Sequence, residues 1–130
     1  LTSIDPDAER QAAARKVLSL ARIRSNQVRL ITGTPLDVLP KLRDGAYDMV
    51  LINGDRLEYV EYVSQALRLL RTGGIVVVND ALANNHVADP DNEDDDTLII
   101  RETLDSVLET EEFTPVLLPV GEGLLLATKS

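Results

Sequence analysis

Apolar residues in this chain occur in short blocks, separated by segments in which they recur every three or four positions. One such block lies near the centre, where residues 49–52 are consecutive Met, Val, Leu and Ile. It is too short to span a membrane and too continuous for a strand with one face in water, so it predicts a buried parallel strand within residues 46–56. The polar residues 53–56 follow, and open α/β sheets bind ligands at the carboxyl ends of their strands. We therefore expect the functional site there.

Three other short segments predict strands, at residues 1–4, 28–31 and 75–78. Stripes of helical spacing predict helices, at about residues 6–24, 35–42, 60–70 and 100–108. Pro6 is expected at the first helical position, and Thr72, Gly73 and Gly74 are expected to stop the third helix. This alternation predicts an α/β fold with a mostly parallel sheet and helices on both faces.

The end of the chain departs from this alternation. Residues 114–120 and 124–128 are two further apolar runs, separated only by Gly121, Glu122 and Gly123. Such a pair predicts an antiparallel hairpin that closes one edge of the sheet. A doubly wound nucleotide-binding domain or a flavodoxin-like receiver would end in a helix, so the hairpin is the most discriminating fold feature.

Composition narrows the choice of partners. The 130 residues form one domain at most, and the net charge of -9 argues against a nucleic-acid or anionic-membrane surface. Small molecules are the expected partners. The chain has no Cys, which fits a reducing compartment, and we expect a cytoplasmic protein.

Two features have alternative interpretations. The Asp5 carboxylate could cap the first helix, or it could accept hydrogen bonds from the two hydroxyls of a ribose. The polar loop at residues 83–96 is best interpreted as a solvated surface segment, because it lacks the central Gly and terminal Glu of a calcium loop. His86 within it is the only His, and its position near the strand ends leaves a substrate contact open.

The chain resembles a known family in four features. They are the central strand ending at Asn53, Arg56 three positions later, the helix that follows and the segment LLRTGGIVVVND. This family is the class I S-adenosylmethionine-dependent O-methyltransferases of the catechol and caffeoyl-coenzyme A type. The resemblance covers the whole chain but not the whole family fold, whose first strand and glycine-rich loop are expected upstream of Leu1. Residues 1–130 would then be the C-terminal part of one Rossmann-like methyltransferase domain. Without that segment, we expect the chain to bind S-adenosylmethionine poorly and the strands ending at Ile4 and Ile52 not to pair.

The resemblance implies a cofactor site for S-adenosylmethionine. Asp5 would bind the ribose, and Gly33, Thr34 and Pro35 would flank the adenine, although Pro35 has no N–H to donate to the ring. Asn53 and Asp55 would border the cofactor and the acceptor.

In the metal-dependent members of this family, the places of Asn53, Asn79 and Asp80 hold Asp, Asp and Asn, which bind a divalent cation. One carboxylate and two amides remain here, so we expect a degenerate Mg²⁺ site and little dependence on metal. The family has a Lys at the place of Arg56. A guanidinium cannot act as a base, but it can stabilise a phenolate; alternatively, Arg56 is a helix-surface residue paired with acids.

The resemblance implies an enzyme that transfers a methyl group to a small phenol- or catechol-like acceptor, and we expect it to form a homodimer. The alternative is a catalytically decayed methyltransferase-like domain used for binding or dimerisation. A different Rossmann-like nucleotide binder is disfavoured by the closing hairpin.

Overall fold

A computed structural model describes all residues from 1 to 130. The chain forms two compact units, Leu1–Leu42 and Arg43–Ser130. No helix in either unit has the length and apolar character needed to cross a membrane.

The first unit is a two-stranded parallel sheet with helices. Residue Asp5 of the first strand lies beside Thr32 of the second. The elements are β1 (Thr2–Asp5), α1 (Ala8–Leu20), β2 (Arg29–Thr32) and α2 (Pro35–Val38), with a 3₁₀ turn at Leu39–Lys41 after α2.

Helix α1 differs from its prediction at both ends. It is capped by Asp7, whose Oδ1 accepts from the N–H groups of Glu9 and Arg10, so Pro6 precedes the cap and Asp5 is not the cap. It ends at Leu20 rather than near residue 24. The predicted apolar stripe is not buried, since Leu20 is 76% exposed.

Instead, one polar side chain joins α1 to the sheet. Gln11 is buried, and its Nε2 donates to the carbonyl oxygens of Ser3 and Ile31 at 3.2 and 3.0 Å. An apolar periodicity argument does not detect such an anchor.

The second unit is a four-stranded mixed sheet with two helices. Its strand order is β3-β4-β6-β5, with β3 parallel to β4 and both other pairs antiparallel. The predicted C-terminal hairpin is therefore confirmed, and β1 and β3 belong to different sheets, as expected. The elements are β3 (Tyr47–Ile52), α3 (Tyr59–Leu69), β4 (Leu70–Asn79), α4 (Asp95–Leu108), β5 (Phe113–Leu118) and β6 (Leu124–Lys129).

The two faces of this sheet differ. The face that meets α3 and α4 is buried and includes Ile52, Val76 and Leu125. On the opposite face, Met49 and Leu51 are 57% and 60% exposed. The prediction of a fully buried central strand was therefore wrong for this chain, because β3 pairs on one edge only and helices contact one of its faces.

Candidate functional site

The carboxyl ends of β3 and β4 lie side by side, because Ile52 is in register with Val78. The next residue of each strand is an asparagine. The Asn79 Nδ2 donates to the Asn53 Oδ1 at 3.0 Å, so one hydrogen bond joins the two amides across the parallel pair. The predicted meeting of these two positions at one edge of the sheet is thus observed.

Arg56 follows β3 in a 3₁₀ turn that Asp55 caps, with the Asp55 Oδ1 accepting from the Leu57 N–H at 3.0 Å. Three carboxylates from different parts of the unit surround the guanidinium, and 28% of the Arg56 side chain is exposed. They are Asp80 at 3.3 Å, Glu122 at 3.6 Å and Asp96 at 3.9 Å. The pairing of Arg56 with acids is therefore observed, and a role toward an acceptor remains a prediction.

A pocket of about 330 Å³ opens beside Arg56. We call it the Arg56 pocket. Much of its wall comes from the segment between β4 and α4, residues 80–94, which we call the 80–94 loop. His86 contributes to this wall, and its contact with a substrate remains a prediction. The lining residues are Arg56, Ala83, Asn84, His86, Asp94, Asp95, Asp96 and Thr97.

The turn of the β5–β6 hairpin packs against the start of the 80–94 loop. The N–H groups of Ala81 and Leu82 donate to the carbonyls of Gly123 and Glu122 at 3.1 and 3.0 Å. Gly123 has φ +90°, and a Cβ there would lie 2.5 Å from the Leu82 Cγ. Only glycine adopts this φ readily and also leaves room for the Leu82 side chain. The close packing of this turn places the neighbouring Glu122 beside Arg56.

The 80–94 loop begins in an unusual backbone conformation. Asp80, Ala83, Asn84 and Asn85 all have positive φ, between 47° and 66°. Asp and Asn tolerate this region better than Ala, and non-glycine residues persist in it when surrounding contacts hold them. The Asn84 amide, oriented to satisfy its hydrogen bonds, donates to Glu122 at 2.9 Å.

A buried phenol lies behind this cluster. Tyr59 is 0% exposed, and its hydroxyl has no hydrogen-bond partner. Burial raises the pKa of Tyr59 to about 12, Asp80 adds to this effect and Arg56 opposes it. In the same helix, burial and the hydrogen bond to Glu58 raise the pKa of Tyr62. Both phenols are therefore neutral at physiological pH.

The predicted cofactor residues Asp5 and Gly33 meet within the first unit. The Asp5 Oδ1 accepts from the Asp7 N–H at 2.8 Å, and the Gly33 N–H donates to the Asp5 carbonyl at 3.1 Å. Thr34 stands at the start of α2 without a side-chain capping bond, and Pro35 is the first residue of that helix. The second oxygen of the Asp5 carboxylate keeps its acceptor capacity for a ligand.

The three residues at the family's metal positions do not fit a Mg²⁺ ion well. Two are amides bonded to each other, and the carboxylate of Asp80 is paired with Arg56. No group of three or more His, Cys, Asp or Glu is placed to hold a metal. Mg²⁺ favours carboxylate oxygens, and here binding would have to displace a guanidinium that carries its own positive charge.

Two of the three ion-pair partners of Arg56 were not predicted from the sequence. They are Asp96 and Glu122, each of which is distant in sequence and reaches the guanidinium only through the packing of α4 and of the hairpin turn. The Gly-Glu-Gly turn was the one local signal, and it indicated only a hairpin.

The parallel strand pair with polar ends, extended by an antiparallel hairpin, is the arrangement that the family resemblance predicts. The chain belongs to the O-methyltransferase family, whose model matches residues 1–130.

Individual relatives agree with this assignment. A Mycobacterium tuberculosis protein named as an O-methyltransferase is 37% identical over 129 residues, which cover 99% of this chain and 58% of the relative. A Corynebacterium glutamicum crystal structure matches with a TM-score of 0.95 at 33% identity, covering 100% of this chain and 60% of the other. The O-methyltransferase TomG from Streptomyces achromogenes, in complex with SAM, matches with a TM-score of 0.91 at 27% identity. The match covers 100% of this chain and 61% of TomG.

The chain thus spans about three fifths of the length of the proteins it matches.

Proposed function

We propose that the full-length protein transfers a methyl group from S-adenosylmethionine to a small hydroxylated acceptor of the phenol or catechol type. The family match supports methyl transfer, and the SAM complex of TomG supports this cofactor. The observation that carries the proposal is the Arg56 pocket, which places a guanidinium beside the polar ends of β3 and β4.

The size of the pocket favours a small acceptor. Sites for small molecules commonly measure about 300–1,000 Å³. The Arg56 pocket, at about 330 Å³, lies at the lower end of this range and suits a single aromatic ring.

When bound, S-adenosylmethionine supplies a methyl group that is already activated as a sulfonium. The residues of the protein therefore have to orient the acceptor and hold its oxygen in line with the methyl carbon. We assign Arg56 the catalytic role of stabilising the negative charge on that oxygen. Because the guanidinium stays protonated, the acceptor proton must leave to water or to another base.

We assign the cofactor to the residues expected from the sequence. Asp5 binds the ribose through its carboxylate, and the other contacts come from two short polar segments. These are Gly33, Thr34 and Pro35 for the adenine, and Asn53 and Asp55 for the part nearest the acceptor. The acceptor capacity that Asp5 retains beside the Asp7 N–H supports the ribose role.

We also propose that transfer depends little on Mg²⁺. The Arg56 guanidinium supplies the charge that a cation would bring, and it is already paired with Asp80, the one carboxylate among Asn53, Asn79 and Asp80. No step of the proposed reaction passes through a metal.

Calorimetry with S-adenosylmethionine on the full-length protein tests the cofactor assignment. A hydrogen bond to a charged group contributes about 1.5–3 kcal/mol, so Asp5→Asn should weaken binding about tenfold or more. The ligand-free melting temperature should hardly change, because an amide oxygen can still accept from the Asp7 N–H. Asp7→Ala is the matched control, since loss of the helix cap should cost about 1 kcal/mol of stability and leave binding unchanged.

Binding by Asp5→Asn as tight as that of the parent would refute the ribose role. Tight binding of the cofactor without transfer to any member of a phenol and catechol panel would favour a binding domain over an enzyme.

Two further proposals concern the assembly and the location of the protein. We propose a homodimer, which light scattering of the full-length protein would test, and a cytoplasmic location, which fractionation of cells would test.

A further inference from the structure

One arginine outside the Arg56 pocket has an unusual set of partners. Arg101 lies in α4, and its guanidinium donates four hydrogen bonds, all to main-chain carbonyls. The Nε reaches Val87 at 3.2 Å, Nη1 reaches Asn92 at 2.7 Å, and Nη2 reaches His86 at 3.1 Å and also Asp89.

All four acceptors belong to the 80–94 loop. Their carbonyls converge on one guanidinium, whose planar shape fixes the directions of its five N–H donors. No carboxylate lies within ion-pair distance of Arg101, so the partners of its guanidinium within the protein are peptide carbonyls. The side chain therefore fixes the path of the loop backbone.

The same loop forms much of the wall of the Arg56 pocket, through Ala83, Asn84, His86 and Asp94. Its first residues are held at positive φ, a conformation that needs surrounding contacts to persist. The hairpin turn holds one end of the loop at Ala81 and Leu82, and Arg101 holds the stretch from residue 86 to residue 92.

We propose that Arg101 is a positioning residue for the acceptor: it holds the 80–94 loop in the shape that completes the wall of the Arg56 pocket. This inference rests on the proposed function, because it takes the pocket as the acceptor site. Lys cannot replace Arg101, since a single ammonium nitrogen cannot reach four carbonyls spread over seven residues.

The test uses Arg101→Ala and Arg101→Lys in the full-length protein, with Arg71→Ala as the control. Arg71 is also in the second unit, but it is 53% exposed and pairs with Asp48 away from the loop. The measurements are amide hydrogen exchange of residues 80–94, affinity for S-adenosylmethionine, and KM and kcat for catechol.

Both Arg101 variants should speed exchange in the 80–94 loop and leave β4 and β6 unchanged. Their KM for catechol should rise about tenfold, while affinity for S-adenosylmethionine stays within about twofold of the parent. Arg71→Ala should match the parent throughout. A general structural defect would instead lower the melting temperature and weaken cofactor binding together.

Unchanged exchange in the loop would overturn the proposal, as would an unchanged KM or full rescue by Lys. If the parent transfers no methyl group to catechol, the proposed acceptor fails, and loop exchange then decides the role of Arg101 by itself. If Arg101→Ala does not fold, Arg101→Lys supplies the same readouts.

Discussion

Arg56 and Arg101 place the same side chain in two contrasting environments within one unit. Arg56 faces three carboxylates and is 28% exposed, whereas Arg101 faces four backbone carbonyls and no carboxylate. Partly exposed ion pairs contribute little to stability, about 0–1 kcal/mol each, so a ligand can compete for Arg56. The four carbonyl partners of Arg101, in contrast, fix the path of the 80–94 loop backbone. The charge of Arg56 is therefore available for chemistry, whereas that of Arg101 holds a loop.

The largest predicted effect comes from breaking the packing of the hairpin turn on the 80–94 loop. This loop lines the Arg56 pocket and is also the segment that Arg101 holds. Gly123→Ala should lower the free energy of unfolding by about 3 kcal/mol, because it adds backbone strain at φ +90° and a clash with Leu82. Gly121→Ala is the matched control, with φ +55° and open space around its Cβ, and should cost about 1 kcal/mol. Urea unfolding of the full-length variants measures both, and equal losses would refute the packing argument.

An intermediate effect on stability is expected from Tyr59, the buried phenol behind the Arg56 cluster. The pKa of Tyr59 is raised from 10.0 to about 12, so its contribution to stability is complete below pH 10 and is lost as the pH rises through about 12. As the pH rises from 10 to 12, the free energy of unfolding of Tyr59→Phe should therefore fall less than that of the parent. At neutral pH the variant should be as stable or more stable, because the removed hydroxyl has no partner. Denaturant unfolding from pH 8 to pH 12 measures this difference, and parallel curves for the two proteins would contradict it.

The smallest predicted effect tests whether the carboxylates around Arg56 are interchangeable. Glu122→Gln removes one of the three, and Asp80 and Asp96 remain within ion-pair distance. Stability should change by less than about 1 kcal/mol. A thermal unfolding series with Asp96→Asn as the companion variant would measure it, and a loss of several kcal/mol from either would show a fixed structural ion cluster.

Local sequence patterns predicted the order of strands and helices, since apolar blocks and the Gly-Glu-Gly turn depend on nearby residues. The exposure of Met49 and Leu51 was not predictable, because it depends on what packs against each face of the sheet. Of the two alternatives given for Asp5, the helix cap was wrong, because Asp5 and Asp7 both offer a suitable acceptor and only the backbone geometry selects Asp7.

The candidate site was predicted in part. Asn53, Arg56, Asn79 and Asp80 lie at or just after the carboxyl ends of β3 and β4, so the parallel pairing alone brings them to one edge. The partners of Arg56 from α4 and the hairpin were missed because their approach depends on tertiary packing. Arg101 gave no signal, since an isolated Arg in a helix is typical of a solvent-exposed position.

The central claim is methyl transfer with Arg56, rather than a bound cation, beside the acceptor oxygen. The most direct measurement is the rate of transfer from S-adenosylmethionine to catechol by the full-length protein, with chelator and with added Mg²⁺. The two rates should agree within about twofold, since one carboxylate among three ligand positions is a poor Mg²⁺ site. Arg56→Ala should lower kcat about a hundredfold in both conditions. Activity that the chelator abolishes and Mg²⁺ restores would contradict this account.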